Sequence, residues 1–266
     1  YAASVAVTKS LGTLYNPLFI YGGVGLGKTH LLQAVGNKLK KDSPKTKIKY
    51  LTSEKFTNEL VASIQNKESH VFKEKYRQED LLLIDDVQFI AGKTKTQEEL
   101  FHIFNALYET SKQIVFTSDK PPKAIPYLEE RLRSRFEGGM IADITQPEYE
   151  SRLAILKTKA VFKNPAPPLE TLEYIALTVK DSIRELEGAL NLIVARMKIA
   201  KRQLSINEVK DELIKNAKPR RTITAAQIIK TVEDFYDEHE KLLFEKTRRK
   251  DVVFPRQVAM YLLRED

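Results

Sequence analysis

The residues Gly22-Gly23-Val24-Gly25-Leu26-Gly27-Lys28-Thr29 match G-x-x-x-x-G-K-[ST], the signature of a phosphate-binding loop. An apolar run (residues 18–21) precedes the motif and a helical pattern (residues 29–41) follows it. The glycines let successive backbone N–H groups turn toward phosphate oxygens, and the start of the helix adds partial positive charge. The stretch predicts a nucleotide site in which Lys28 reaches the β- and γ-phosphates and Thr29 holds Mg²⁺. We include His30, which follows directly, among the nucleotide-binding residues.

A second motif lies downstream, where four apolar residues (81–84) are followed by Asp85 and Asp86. The apolar run predicts a buried central strand, and ligands of open α/β sheets bind at the carboxyl edge where such strands end. In this interpretation Asp85 orients Mg²⁺, and Asp86 accepts a hydrogen bond from the attacking water as general base. The alternative is that the two carboxylates simply begin a turn.

The rest of the chain predicts an α/β domain followed by helices. Short apolar runs at residues 18–21, 48–51, 81–84 and 114–117 alternate with helical patterns such as 29–41 and 97–110, which indicates a parallel sheet flanked by helices. From Pro147 onward the patterns are helical, with apolar residues at helical spacing between Ile183 and Met197. We predict three parts: a nucleotide-binding domain (1–146), a helical lid (147–217), and a linker helix with a basic helical tail (218–266).

Composition narrows the functional classes. The 266 residues are 42% hydrophobic and 30% charged, which is typical of a folded globular protein rather than a disordered one. No apolar run approaches the roughly 20 residues of a membrane span, and the absence of cysteine excludes disulfides and thiolate metal sites. The simplest compartment is the cytoplasm. The formal charge of +8 favours a polyanionic partner, although many basic proteins bind none. The two ends look cut, so we expect a fragment of a longer protein.

Further polar residues are candidates for the nucleotide site, and each also has a purely structural interpretation. Asp119 follows a strand and either positions water beside Asp86 or begins a turn. Arg184 lies in the first turn of a helix with a predicted Ser182…Glu185 cap, where it either meets the γ-phosphate or remains a surface arginine. The arginines of the run 131–136 either complete a neighbour's active site or form a structural ion-pair cluster.

These motifs together resemble the bacterial DnaA family of chromosomal replication initiators. The resemblance covers nearly the whole chain and is carried, in order, by Asn16-Pro17-Leu18-Phe19-Ile20-Tyr21, Asp85-Asp86-Val87-Gln88-Phe89-Ile90, Thr117-Ser118-Asp119, residues 131–136, Arg184-Glu185-Leu186-Glu187-Gly188-Ala189-Leu190 and Phe254-Pro255-Arg256-Gln257-Val258-Ala259-Met260-Tyr261. Helicase loaders of the DnaC type share the ATPase core but are not expected to carry the last of these segments.

The resemblance implies an AAA+ ATPase that binds ATP or ADP with Mg²⁺ and assembles into a helical homo-oligomer with ATP. It makes Arg135 the finger toward a neighbour's ATP, with Arg131 nearby in the interface, and makes Asp119 and Arg184 the first and second nucleotide sensors. Asp86 stands where most AAA+ proteins have Glu. The shorter carboxylate reaches less far, which favours a slow switch over a fast motor. The replicative helicase machinery is the implied downstream partner.

The resemblance also implies two DNA contacts. Lys93 and Lys95, in a predicted loop at residues 92–96, resemble the residues that grip single-stranded DNA, with Val61 as their apolar partner. The tail from Lys241 to Arg256 has six basic and two acidic residues, a net charge of +4. Its duplex-binding candidates are Arg248, Arg249, Lys250 and Arg256.

We expect Pro255 in the first turn of a helix, which would place Arg256 at that helix's start. Since the helix-turn-helix that reads the major groove is expected after Asp266, we predict weak duplex binding by this chain. Another helix is expected to begin near Thr224, where Thr224…Gln227 can form a capping box. Contact with acidic phospholipid is suggested for that amphipathic region, although its acidic residues do not demand it.

Three other hypotheses remain open on the sequence alone. A helicase loader of the DnaC type would have a tail without DNA affinity. A small-molecule kinase would have an acceptor pocket and no interface arginine. A DNA-binding scaffold would not hydrolyse ATP, although Asp85, Asp86 and Asp119 argue against that. The resemblance implies that the family's adenine-contacting segment precedes Tyr1.

Overall fold

A computed structural model describes residues 2–216, 225–236 and 249–265. By its internal contacts the chain divides into two compact units, Tyr1–Lys210 and Asp211–Asp266. The strands are β1 Leu18–Gly22, β2 Ile48–Thr52, β3 Leu81–Asp85, β4 Gln113–Ser118 and β5 Met140–Ile144. The helices before the last strand are α1 Ala2–Lys9, α2 Lys28–Asp42, α3 Ser53–Gln65, α4 Ser69–Arg77, α5 Thr94–Glu109 and α6 Glu130–Glu137. Those after it are α7 Tyr149–Ala160, α8 Leu169–Thr178, α9 Ile183–Ala200, α10 Ile206–Asn216, α11 Ala225–Tyr236 and α12 Lys250–Glu265. Short 3₁₀ turns lie at Val87–Ile90 and Pro122–Ala124.

The five strands form one parallel sheet in the order β2-β3-β4-β1-β5. Its central strands are almost wholly buried, because helices cover both faces. Since parallel strands end at the same edge, Gly22, Asp85 and Ser118 come together there, and the candidate site is built on that edge.

Two hydrophobic clusters hold the sheet between its helices. The larger cluster packs Phe19, Phe116 and Phe136 with side chains of α3 to α6, and the Phe116 and Phe136 ring centroids are 4.6 Å apart. The smaller cluster joins the other face to α1 and α2 through residues such as Val7 and Leu32. The ends of the strands are thus fixed from both sides.

The prediction of a parallel α/β domain followed by helices is confirmed. The four predicted strands are present, but we did not predict β5. The predicted boundary at residue 146 stays a prediction, and the one between residues 217 and 218 lies outside the described residues, as does Thr224. None of the helices in the described residues combines the length and apolar character needed to cross a membrane.

The tail differs from its prediction. Pro255 is not in the first turn of a helix but inside α12, so Arg256 lies mid-helix. The reason is a buried face at helical spacing, formed by Val252, Pro255 and Ala259, which extends the helix upstream of the proline. Within this unit Tyr236 of α11 meets Phe254 edge-on, with ring centroids 6.0 Å apart.

Candidate active site

A cavity of about 360 Å³ lies at the carboxyl edge of the sheet. It is lined by the phosphate loop, the acidic strand ends and the start of α9: Val24, Gly25, Gly27, Lys28, Thr29, His30, Asp86, Gln88, Phe89, Asp119, Ile183, Arg184 and Glu187. The structure therefore gathers predicted nucleotide, general-base and sensor residues from distant parts of the sequence around one space. The roles of these residues stay predictions.

The phosphate loop wraps the start of α2. Gly27 adopts a left-handed conformation (φ 94°) just before the helix, which a side chain would oppose. Lys28 is buried, and its Nζ donates hydrogen bonds to the carbonyl oxygens of Gly22 (2.8 Å) and Gly23 (2.9 Å). Those contacts hold the ammonium group at the mouth of the loop, where a phosphate would bind.

The same loop touches the first turn of α9. The Gly25 carbonyl accepts hydrogen bonds from the backbone N–H groups of Ile183 (3.0 Å) and Arg184 (3.3 Å). A Cβ on Gly25, where φ is +79°, would lie 2.9 Å from Ser182 Cβ and 3.2 Å from Arg184 Cβ. Ser182 caps α9, because its Oγ accepts from the Glu185 N–H as the sequence predicts. Arg184 is thereby fixed beside the loop by backbone contacts.

Asp85 is a buried carboxylate oriented by two hydroxyl groups. Thr117 Oγ1 donates to Asp85 Oδ1, and Tyr50 OH donates to Asp85 Oδ2 at 3.1 Å. Burial, together with the negative charges of Asp85 and Asp86, raises the pKa of the Tyr50 hydroxyl, so that the hydroxyl remains a donor. Carboxylate and hydroxyl oxygens suit Mg²⁺, which binds few protein ligands and keeps water and phosphate oxygens around it. Asp85 and Thr29 thus have the chemistry to hold Mg²⁺ with a bound nucleotide.

Gln88, to which the sequence assigned no role, links the carboxylate of Asp86 to the backbone of Asp119. Asp86 itself has left-handed backbone (φ 55°), with its N–H bonded to Thr117 Oγ1 at 2.9 Å. Gln88 Nε2 donates to Asp86 Oδ1 (3.2 Å), while Gln88 Oε1 accepts from the Asp119 N–H (3.3 Å). Asp119 Oδ1 is buried without a hydrogen-bond partner among the described residues. The amide thus sets the spacing of Asp86 and Asp119 across the cavity.

The two predicted interface arginines lie on α6, outside the cavity lining. Arg131 Nε pairs with Glu129 Oε2 at 2.7 Å, and its guanidinium lies 5.1 Å from the centre of the Phe101 ring. The guanidinium of Arg135 lies 5.8 Å from the same ring. Both arginines are exposed, which suits contact with another molecule.

The candidate contacts with single-stranded DNA, Val61, Lys93 and Lys95, are also at the surface. The predicted loop at residues 92–96 is shorter than expected. Helix α5 begins at Thr94, so Lys95 is helical and Lys93 is the residue before the helix. The buried Thr96 and Gln97 draw the helix start back into this segment. Lys95 pairs with Glu98 at 3.2 Å, and Val61 is exposed on α3.

Of the duplex candidates, Arg249 precedes α12 and is exposed, while Arg256 is half-buried within that helix. Lys250 begins α12, and nothing is stated of its side chain. Arg248 lies outside the described residues.

Comparison with known proteins matches residues 1–143 to the family model of the bacterial DnaA ATPase domain and residues 225–266 to that of the bacterial DnaA helix-turn-helix. Domain III of the Thermotoga maritima replication initiation protein DnaA is 42% identical over 82% of this chain and 91% of that one, with a TM-score of 0.78. Replication initiator DnaA bound to AMPPCP and single-stranded DNA is 36% identical over 100% of this chain and 77% of that one, with a TM-score of 0.68. AMPPCP-bound DnaA from Aquifex aeolicus is 36% identical over 100% of this chain and 78% of that one, with a TM-score of 0.69.

Proposed function

We propose, because this chain belongs to the bacterial DnaA family, that it initiates chromosomal replication as an ATP-controlled protein that assembles on origin DNA. The observation that carries the proposal is the cavity at which the phosphate loop, the acidic strand ends and Arg184 meet. Initiation of replication on chromosomal DNA would place the protein in the cytoplasm.

ATP binding is supported by the phosphate loop. Backbone N–H groups at residues 22–29 and the start of α2 offer donors and partial positive charge to the phosphates, and Lys28 adds a buried ammonium group. Mg²⁺ held by Asp85 and Thr29 would neutralise phosphate charge.

Hydrolysis is supported by Asp86 and Asp119, which both bond to the side-chain amide of Gln88 and both line the cavity. Asp86 would accept a proton from the attacking water, and the free Oδ1 of Asp119 would help to orient that water. The shorter reach of Asp compared with Glu supports slow hydrolysis, which suits a switch that ends initiation rather than a motor.

Self-assembly is supported by the position of α6. Arg135 is exposed and absent from the lining of its own cavity, so it is available to the ATP of a neighbouring copy. Arg184, held against Gly25 through its backbone N–H, would report the nucleotide to α9 of the same chain.

DNA binding is supported by the exposed Lys93 and Lys95 for single strands and by the helix-turn-helix match for duplex. That match weighs against a helicase loader of the DnaC type. The match begins at residue 225, whereas the sequence alone predicts the helix-turn-helix after Asp266. Weak duplex binding, contact with the helicase machinery and contact with acidic phospholipid stay predictions.

Sedimentation velocity of the chain with ATP or ADP, each with and without a single-stranded oligonucleotide, tests the proposal. We expect large assemblies and bound DNA only with ATP. Lys28→Ala, which removes the phosphate ligand, is the control and should sediment alike in both nucleotides. Identical profiles of the unmodified chain with ATP and ADP would refute the proposal.

A further inference from the structure

We propose that Tyr127 is a base-stacking platform that extends the single-strand surface beyond Lys93 and Lys95. The inference rests on the proposed single-strand binding and adds to it a ring that contacts bases, where the lysines contact phosphates. Tyr127 lies between the 3₁₀ turn Pro122–Ala124 and α6, on a different segment from the lysines.

Tyr127 combines an exposed ring with a left-handed backbone. Its side chain is 83% exposed, so the ring adds little to the hydrophobic core. Its backbone is left-handed, with φ 55°, a conformation that is uncommon and costly for a bulky residue. Strain of this kind concentrates where a side chain must be presented for binding.

Hydrogen bonds join the Tyr127 segment to the lysine segment. The Tyr127 carbonyl accepts from the Gly92 N–H (3.3 Å) and from Gln97 Nε2 (3.1 Å). Gln97 is only 1% exposed; its Nε2 also donates to Ile90 (3.2 Å), and its Oε1 accepts from the Glu129 N–H (2.8 Å). The Gly92 N–H and the buried amide of Gln97 therefore hold the Tyr127 backbone next to the segment that precedes Lys93.

The chemistry of this surface fits a single strand. Lys93 and Lys95 offer cations to phosphates, and an exposed ring offers a face on which any base can stack. Duplex DNA hides its base faces, so the ring would gain little there. A second copy of the chain is the competing occupant, because Arg131 follows only four residues later. We favour DNA since the two lysines lie on the segment bonded to Tyr127.

The test compares the unmodified chain with Tyr127→Ala and Tyr127→Phe, using fluorescence anisotropy with AMPPCP and Mg²⁺. One probe is a labelled oligo-dT, and the other has the same length with abasic sites in place of the bases. Phe162→Ala is the matched control, because Phe162 is equally exposed (83%) but lies after α7. Thermal melting confirms that each variant is folded.

We expect Tyr127→Ala to bind oligo-dT about 5- to 150-fold more weakly, with Tyr127→Phe and Phe162→Ala near the unmodified chain. Binding to the abasic strand should not distinguish the unmodified chain from Tyr127→Ala, because only phosphates remain to be contacted.

Three results would overturn the inference. If Tyr127→Ala binds oligo-dT normally while Lys93→Ala does not, the stacking role is wrong and single-strand binding stands. If the unmodified chain binds neither probe, both proposals fail. If Tyr127→Ala loses ATP-dependent assembly in sedimentation without DNA, Tyr127 contacts a second copy instead.

Discussion

Replacing Gly25 with alanine tests the contact between the phosphate loop and α9. At this position the new Cβ would lie 2.9 Å from Ser182 Cβ, closer than real Cβ atoms approach, and 3.0 Å from the Oγ that caps α9. The backbone also has φ +79°, which alanine adopts only with strain. Either the loop or the first turn of α9 must move, and Arg184 moves with it.

The magnitude follows from two costs. Left-handed backbone costs a residue with a Cβ about 1–2 kcal/mol, and loss of a Ser cap costs about 1 kcal/mol. The sum of about 2–3 kcal/mol corresponds to a fall in melting temperature of roughly 4–12 °C for a unit of this size. ATP affinity should fall as well, because the loop and Arg184 both line the nucleotide cavity.

Two other glycines separate strain from collision. Gly92 has φ +74°, and an added methyl group there would have no atom within 4 Å, so Gly92→Ala should cost only the strain of about 1–2 kcal/mol. Gly188 lies within α9 with nothing near it, so Gly188→Ala should stabilise the helix by about 0.5–1 kcal/mol.

Differential scanning calorimetry and isothermal titration with ATP measure the series. From highest to lowest, the expected order of melting temperature is Gly188→Ala, the unmodified chain, Gly92→Ala and Gly25→Ala. Only Gly25→Ala should lose ATP affinity. If Gly25→Ala melts and binds ATP like Gly92→Ala, the loop and α9 do not make this close contact and the predicted coupling to Arg184 is wrong.

Three further predictions concern single side chains. Gln88→Ala should lower kcat of ATP hydrolysis about tenfold while leaving ATP affinity within about twofold, because Asp86 loses its orienting amide; an unchanged kcat in a steady-state assay would contradict this. Arg135→Ala should lower assembly-dependent hydrolysis by about 10³-fold or more with ATP affinity nearly intact, and loss of ATP binding in titration would instead make Arg135 structural. Glu208 has its pKa lowered to about 2, first by the hydrogen bond from Arg202 and then by those from Ser205. A lowered pKa means that its contribution to stability is complete above the ordinary pKa of 4.5 and is lost as the pH falls toward 2, so the melting-temperature gap to Glu208→Gln should shrink below pH 4.5; a gap constant from pH 7 to pH 3 would contradict it.

The central strands were predictable because both of their faces are buried, which leaves an unbroken apolar run in the sequence. Strand β5 was missed since Met140 and Ile141 are 36% and 37% exposed and Asp143 interrupts the apolar pattern, as befits the edge of a sheet. Pro255 gave a wrong helix start. Proline favours the first turn of a helix, but packing around Val252 extends this helix upstream of Pro255.

At the candidate site, spacing along the chain was enough to predict that Lys28, Thr29 and Asp86 line one cavity, since the motif that contains each is local. The contacts made by Tyr50 and Gln88 were not predictable. Tyr50 reaches Asp85 across 35 positions, and Gln88 reaches Asp119 across 31, so both contacts exist only once the sheet has formed. A glutamine two residues after the acidic pair carries no sequence signal of its own.

The buried amide of Gln97 has a structural consequence. It bonds to the segment before Lys93 and to the N–H of Glu129, whose carboxylate in turn holds Arg131. The side chain of Gln97 therefore connects the lysine segment to the start of α6. If DNA binds the lysine segment and α6 contacts a neighbouring copy as proposed, these hydrogen bonds would link the two surfaces directly, without any rearrangement of the sheet.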